Sequence, residues 1–161
     1  MDTQPDLQFR RLDATDMELA LALAESCFGL DDPGNLCFGL APQGPLVAGG
    51  EAWGAFERGN LVGAAWMLPP NGGMNEVVAI ALPRKRWGHG LFNWMLDELA
   101  RSASLSGSRE LLVRISAGGP GLAEALTDAG FLGPDPEQED FPRGEWRRPA
   151  FDVNSAPLLN N

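Results

Sequence analysis

Residues 76–96 read EVVAIALPRKRWGHGLFNWML. The first seven are almost entirely apolar, as in a strand covered on both faces. From Leu91 the apolar positions recur at helical spacing (Leu91, Met95, Leu99, Ala103) until Gly107 closes the run. Between the two lie Arg84, Lys85 and Arg86, then Trp87, Gly88, His89 and Gly90. A strand, a glycine turn and a helix form an anion site, because the helix's first amides lack internal partners and its macrodipole is positive there. Gly88 and Gly90 let a phosphate approach the backbone closely, and the three cations add full charges. Two better-known phosphate motifs are missing: there is no GxxxxGK[ST], and Asn93 breaks a GxGxxG. On spacing alone, a tight turn with solvated basic side chains fits these residues equally well.

Outward from this stretch, LQFRRL (residues 7–12) reads as a strand. Thr15 and Glu18 fit a capping box for a helix carrying Met17, Ala20, Leu21, Ala24 and Phe28. Residues 29–50 are rich in Gly and Pro and read as a long loop, with room for a short helix. Residues 51–68 form a hairpin pattern turning at Gly59 and Asn60. ELLVRI (residues 110–115) is a second buried strand, and Leu122, Ala125, Leu126 and Ala129 mark a short helix ending at Gly130. Residues 145–153 suggest an edge strand, because Pro149 cannot donate to a ladder. The strand-helix-strand over residues 76–115 implies a right-handed parallel crossover, and the hairpin before it implies antiparallel pairing.

The chain has 161 residues, enough for one domain with a full core. The expected layout is a single domain over residues 1–161, with loops at 29–50 and 133–145 and a flexible tail at 154–161. The N-terminus has no signal pattern and no apolar run reaches membrane-spanning length, so a cytoplasmic protein without a membrane partner is expected. Net charge is −10, which disfavours nucleic acid and anionic membranes and weakly favours a cationic partner. Cys27, Cys37 and the single His89 are too few for a disulfide framework or a zinc site, so no metal is expected. An anionic ligand must be held by a local device, which returns attention to residues 84–90.

The order of elements resembles the GCN5-related N-acetyltransferase (GNAT) superfamily over residues 7–153. FRRLDATD resembles its opening strand and helix start, residues 76–96 its acetyl-CoA motif, and GLAEALTDAGF its later helix ending in Gly-Phe. The resemblance implies an α/β (α+β) fold with a mixed, mostly antiparallel twisted sheet and helices on both faces. It implies acetyl-CoA as cosubstrate. The pantetheine arm would pair with Ile80, Ala81 and Leu82, and the pyrophosphate would rest on the turn formed by Arg84, Lys85, Arg86, Trp87, Gly88, His89, Gly90, Leu91 and Phe92. Two registers fit the family's R/Q-x-x-G-x-G/A turn. The one set by the helix core puts Trp87 in place of Arg or Gln and Phe92 in place of a small residue, where it would crowd the phosphates. The other runs from Lys85 to Gly90.

Acetyl transfer to an amine needs a base, donors for the developing oxyanion and, preferably, an acid for the thiolate. Glu76 stands where family members carry a general base; apolar neighbours would raise its pKa, and the alternative is a solvated strand end. The chain has no tyrosine, so the family's usual acid is missing, and its position matches Leu126. The family's asparagine before that helix maps to Gly119. Ser116 is a weak alternative donor or a strand-end hydrogen-bonding residue. Glu51 is a second candidate carboxylate, and Trp53, Phe56, Trp66 and Trp146 are core residues or acceptor-pocket walls. The expected function is an acetyl-CoA-dependent N-acetyltransferase acting by direct attack of an amine on a small cationic molecule or peptide. The chain would be a monomer or homodimer. The alternative is a non-catalytic acyl-CoA-binding or regulatory module on a degenerate fold of this kind.

Overall fold

The computed structural model describes residues 7–28, 36–39, 51–82, 90–115, 122–141 and 143–150. In chain order the elements are β1 (Leu7–Arg11), α1 (Ala14–Phe28), β2 (Leu36–Gly39), β3 (Glu51–Glu57), β4 (Asn60–Met67), β5 (Met74–Leu82), α2 (Leu91–Leu105), β6 (Glu110–Ile115), α3 (Leu122–Asp128) and β7 (Gly144–Pro149). The sheet runs β1-β3-β4-β5-β6-β7, with β2 attached to β5. Among the described strands, β5 and β6 pair in parallel and every other pair is antiparallel.

Two apolar clusters sandwich β5, which explains its unbroken apolar run. Val77, Ile80 and Leu82 face the cluster built by Leu91, Phe92, Met95, Leu96, Leu99, Ala100 and Ala103 of α2 and by Leu122 and Leu126 of α3. Val78, Ala79 and Ala81 join Trp66 and Ala20 in the second cluster, against which Met17 and Leu23 of α1 pack. The buried face of α2 follows the 3.6-residue period, and each large side chain on it stabilises the fold by about 1.5–3 kcal/mol. The helix lies close to the sheet at Gly63, where a Cβ would come within 3.0 Å of Leu82 Cδ1 and Met95 Sδ. Arg148, only 4% exposed, ties the layers together: its Nη1 donates to Asp97 Oδ1 at 2.9 Å and to the Ala129 carbonyl at 3.0 Å.

Three local expectations change. Asp13, rather than Thr15, caps α1: Asp13 Oδ1 accepts from the amides of Thr15 (2.9 Å) and Asp16 (3.1 Å), and the Thr15 hydroxyl also donates to it. A carboxylate satisfies the first-turn amides and favours the positive helix end, so it outcompetes the hydroxyl two residues on. The hairpin turn is Arg58–Gly59, flanked by the pair Glu57↔Asn60, with φ of 52° and 82°. Two positive φ values match the twist of the flanking strands, which a turn shifted by one residue would not. Within residues 29–50, read as a loop, the described segment is the strand β2, and the remainder, with the short helix it had room for, lies outside the described residues. The expected tail at 154–161 lies outside the described residues.

Candidate active site

β5 and β6 are paired at only three positions, Met74↔Glu110, Asn75↔Leu111 and Glu76↔Leu112. Beyond Leu112, β6 continues against β7 as far as Ile115, while β5 takes other partners. Its register with β4 slips just past the last shared rung: Met67 faces Val77 and Trp66 faces Ala79, so Val78 is an extra residue. Such a bulge bends its strand and increases twist, which separates β5 from β6. The edge of β5 thus vacated by β6 is filled by β2, which pairs Leu36↔Leu82, Cys37↔Ala81, Phe38↔Ile80 and Gly39↔Ala79.

The root of this fork is pinned by a buried amide. Asn75, 2% exposed, donates from Nδ2 to the Leu68 carbonyl at 2.9 Å and accepts at Oδ1 from the Ser108 hydroxyl at 2.5 Å. Next to it, Glu76 opens onto a cavity of about 370 Å³. Leu68, Pro69, Pro70 and Asn71 form one wall, and Met74, Leu112 and Arg114 complete the lining.

A line of alternating charges runs outward from the cavity. Glu76 Oε1 lies 3.5 Å from Arg114 Nη1, Arg114 Nε lies 3.3 Å from Glu145 Oε2, and Arg147 Nη2 lies 2.7 Å from Glu145 Oε1. The hydrogen bond from Arg147 holds the Glu145 carboxyl below the usual carboxylate range, helped by the charges of Arg147 and Arg114. The same bond raises the Arg147 pKa.

Glu76 lines a cavity, and its carboxylate faces the Arg114 guanidinium. Ile80, Ala81 and Leu82 are fully buried and paired with β2. Gly90 begins α2 in the left-handed region (φ 78°), with no side-chain cap and open space where a Cβ would stand. The first intrahelical bond runs from Trp94 N to Gly90 O, so the amides of Leu91, Phe92 and Asn93 precede the helix's own ladder. The Phe92 side chain is 2% exposed in the α2 core, which corrects the expectation that it crowds the phosphates; helical periodicity turns it inward. Arg84, Lys85, Arg86, Trp87, Gly88, His89, Ser116 and Gly119 lie outside the described residues.

Leu126 is fully buried and donates nothing. Glu51 is paired with Arg11 at 3.3 Å, away from the cavity lining. Phe56, Trp66 and Trp146 are buried, Trp53 is partly buried against the core, and none of the four lines this cavity; Trp53 stacks on Phe9 and Trp146 packs against Phe141. Sequence reasoning missed Arg114 as a site residue, although a lone charge inside ELLVRI signals a strand face opening to water. Among the described residues no group of three His, Cys, Asp or Glu could hold a metal, and no helix is long and apolar enough to cross a membrane.

β5, bulged and parting from its parallel neighbour, is followed in the chain by the uncapped start of α2. No family pattern and no curated protein sequence matches the chain. Solved structures do. A GNAT family acetyltransferase from Elizabethkingia anophelis with acetyl-CoA bound matches with a TM-score of 0.64 at 15% identity, over 91% of this chain and 99% of that one. The PaiA N-acetyltransferase of Thermoplasma acidophilum in complex with coenzyme A matches with a TM-score of 0.67 at 13% identity, over 89% and 99%. N-acetylglutamate synthase from Neisseria gonorrhoeae, complexed with coenzyme A and N-acetyl-glutamate, matches with a TM-score of 0.66 at 16% identity, over 92% of this chain and 36% of that one. The fold is that of the GCN5-related N-acetyltransferases, with a mixed, mostly antiparallel sheet and helices on both faces.

Proposed function

We propose that this protein is an acetyl-CoA-dependent N-acetyltransferase whose acceptor amine docks in the cavity beside Glu76. The observation that carries this reading is the position of Glu76: it occupies the last shared rung of β5 and β6, partly exposed to a cavity at the fork. In the reaction the Glu76 carboxylate takes a proton from the ammonium. The freed nitrogen attacks the thioester carbonyl, the new C–N bond forms, and the C–S bond breaks. As the amide forms, the nitrogen sheds its second proton, and the departing thiolate takes up that proton by way of water, because Leu126 offers none.

Acetyl-CoA would be held by the backbone of Ile80–Leu82, by the first amides of α2 beyond Gly90, and by Arg84, Lys85 and Arg86. The fit at the helix start is supported by the open approach over Gly90. Along β5 it is conditional, since β2 already pairs with residues 79–82. Arm and strand compete for one edge, so β2 yields when the donor binds.

Thiol release from acetyl-CoA over a panel of amines, with Glu76→Gln as control, tests the reading; unchanged turnover in that variant would remove Glu76 from the mechanism. The buried Leu126 and the occupied β5 edge favour a second reading, a non-catalytic acyl-CoA-binding module. Calorimetry with acetyl-CoA and CoA separates the two, because the module binds without turnover.

A further inference from the structure

We infer that the acceptor cavity is built for a zwitterion, a small apolar α-amino acid, rather than for a simple cation. This deepens the proposed reaction and rests on that reading for its catalytic meaning, but not for the binding it predicts. The cavity presents one carboxylate and one guanidinium side by side, Glu76 and Arg114. A polyamine or a basic peptide end would bring its second positive charge against Arg114. A molecule with an ammonium and a carboxylate on one carbon meets an opposite charge at each end.

Arg114 has capacity to spare for such a ligand. Its contacts to Glu76 (3.5 Å) and Glu145 (3.3 Å) are each long and use single atoms, Nη1 and Nε. The neighbouring Arg147 grips the same Glu145 at 2.7 Å, so Glu145 is already well neutralised without Arg114. The Arg114 Nη2 takes part in neither contact, and its side chain is 57% exposed. A guanidinium recognises carboxylate through two parallel N–H bonds, a geometry that neither present contact achieves. When a ligand carboxylate takes that fork, the Glu76 carboxylate is released to receive the ligand's ammonium.

The remaining lining selects the side chain. Leu68, Met74 and Leu112 offer apolar surface, and the two prolines stiffen the wall that Leu68 begins. A cavity of about 370 Å³ is at the small end of ligand pockets, suited to a single amino acid rather than a peptide segment.

Calorimetric titration of the full chain with L-leucine, L-leucinamide and 3-methylbutylamine, without any acyl donor, tests the inference. Leucine is expected to bind at least tenfold more tightly than either analogue lacking the carboxylate. Arg114→Gln should weaken leucine at least tenfold without weakening 3-methylbutylamine, whose ammonium no longer competes with the guanidinium for Glu76, and Arg114→Lys should fall in between for leucine because it keeps the charge but loses the fork. Matching urea unfolding curves for the variants exclude a folding defect. Binding of the amine as tight as that of leucine, or no binding of leucine, overturns the inference. A parallel thiol-release assay that stays silent while leucine binds counts against the acetyltransferase reading and leaves this one standing.

Discussion

Ile80 of β5 stands between two antiparallel backbone neighbours, Ala65 of β4 on one edge and Phe38 of β2 on the other. The second edge is the one from which β6 has withdrawn, so β2 satisfies amides that the fork would otherwise leave open. Any extended ligand arm that reads the backbone of Ile80 must replace Phe38.

That competition is measurable. Adjacent residues of an antiparallel strand alternate in facing a given partner, so proline at Cys37 or at Phe38 removes one donor toward β5 in one of the two variants. Losing a hydrogen bond worth about 1 kcal/mol weakens the self-contact and should tighten acetyl-CoA binding roughly fivefold in that variant. Equal affinities in wild type and both variants would show that β2 does not contend for the edge.

Replacing Glu76 by Gln keeps the shape of the cavity wall and removes the proposed base. Thiol release should fall about 100-fold or more, with acetyl-CoA affinity unchanged. The deficit should shrink as pH rises, because more of the acceptor amine is then already deprotonated. A pH-independent deficit would point to a positioning role instead.

Asn75 is satisfied at both ends of its amide, by Leu68 and Ser108. Asn75→Ala strands the Leu68 carbonyl and the Ser108 hydroxyl in a buried place, at a cost of about 1–3 kcal/mol. Urea denaturation should show that loss. Ser108→Ala, which leaves only the Asn75 oxygen short of a donor, should cost less.

Near the other end of the sheet, the Arg10 guanidinium donates to Asp16 at 2.8 Å and, with the bonds around Asp13, lowers the Asp16 pKa from 3.8 to about 2. A lowered folded-state pKa contributes stability that is present above the unfolded value and is lost as pH falls through the folded one. Asp16→Asn should therefore destabilise the protein at neutral pH. The difference from wild type should close between about pH 4 and pH 2 in acid-unfolding curves. A difference that stays constant across that range would rule out the ion pair as its source.

Much of this molecule was legible because its strands and helices carry strong one-dimensional patterns. The apolar run of β5 placed Glu76 close to the strand start, which falls two residues earlier at Met74, the period of α2 placed Gly90 at a helix start, and their order pointed to the fold. What was misplaced was decided by competition between near neighbours: Asp13 against Thr15 for one set of amides, and Arg58 against Asn60 for one turn.

The sequence by itself determined the order and type of the elements flanking the fork and the chemistry available at Glu76, since periodicity and residue type are local properties. Only the tertiary structure decided that Arg114 faces Glu76, that Phe92 belongs to the core and that β2 lies on the edge of β5. Each depends on where strands far apart in the chain diverge. That divergence is set by one extra residue, Val78, whose effect appears only when β4 and β5 are laid side by side.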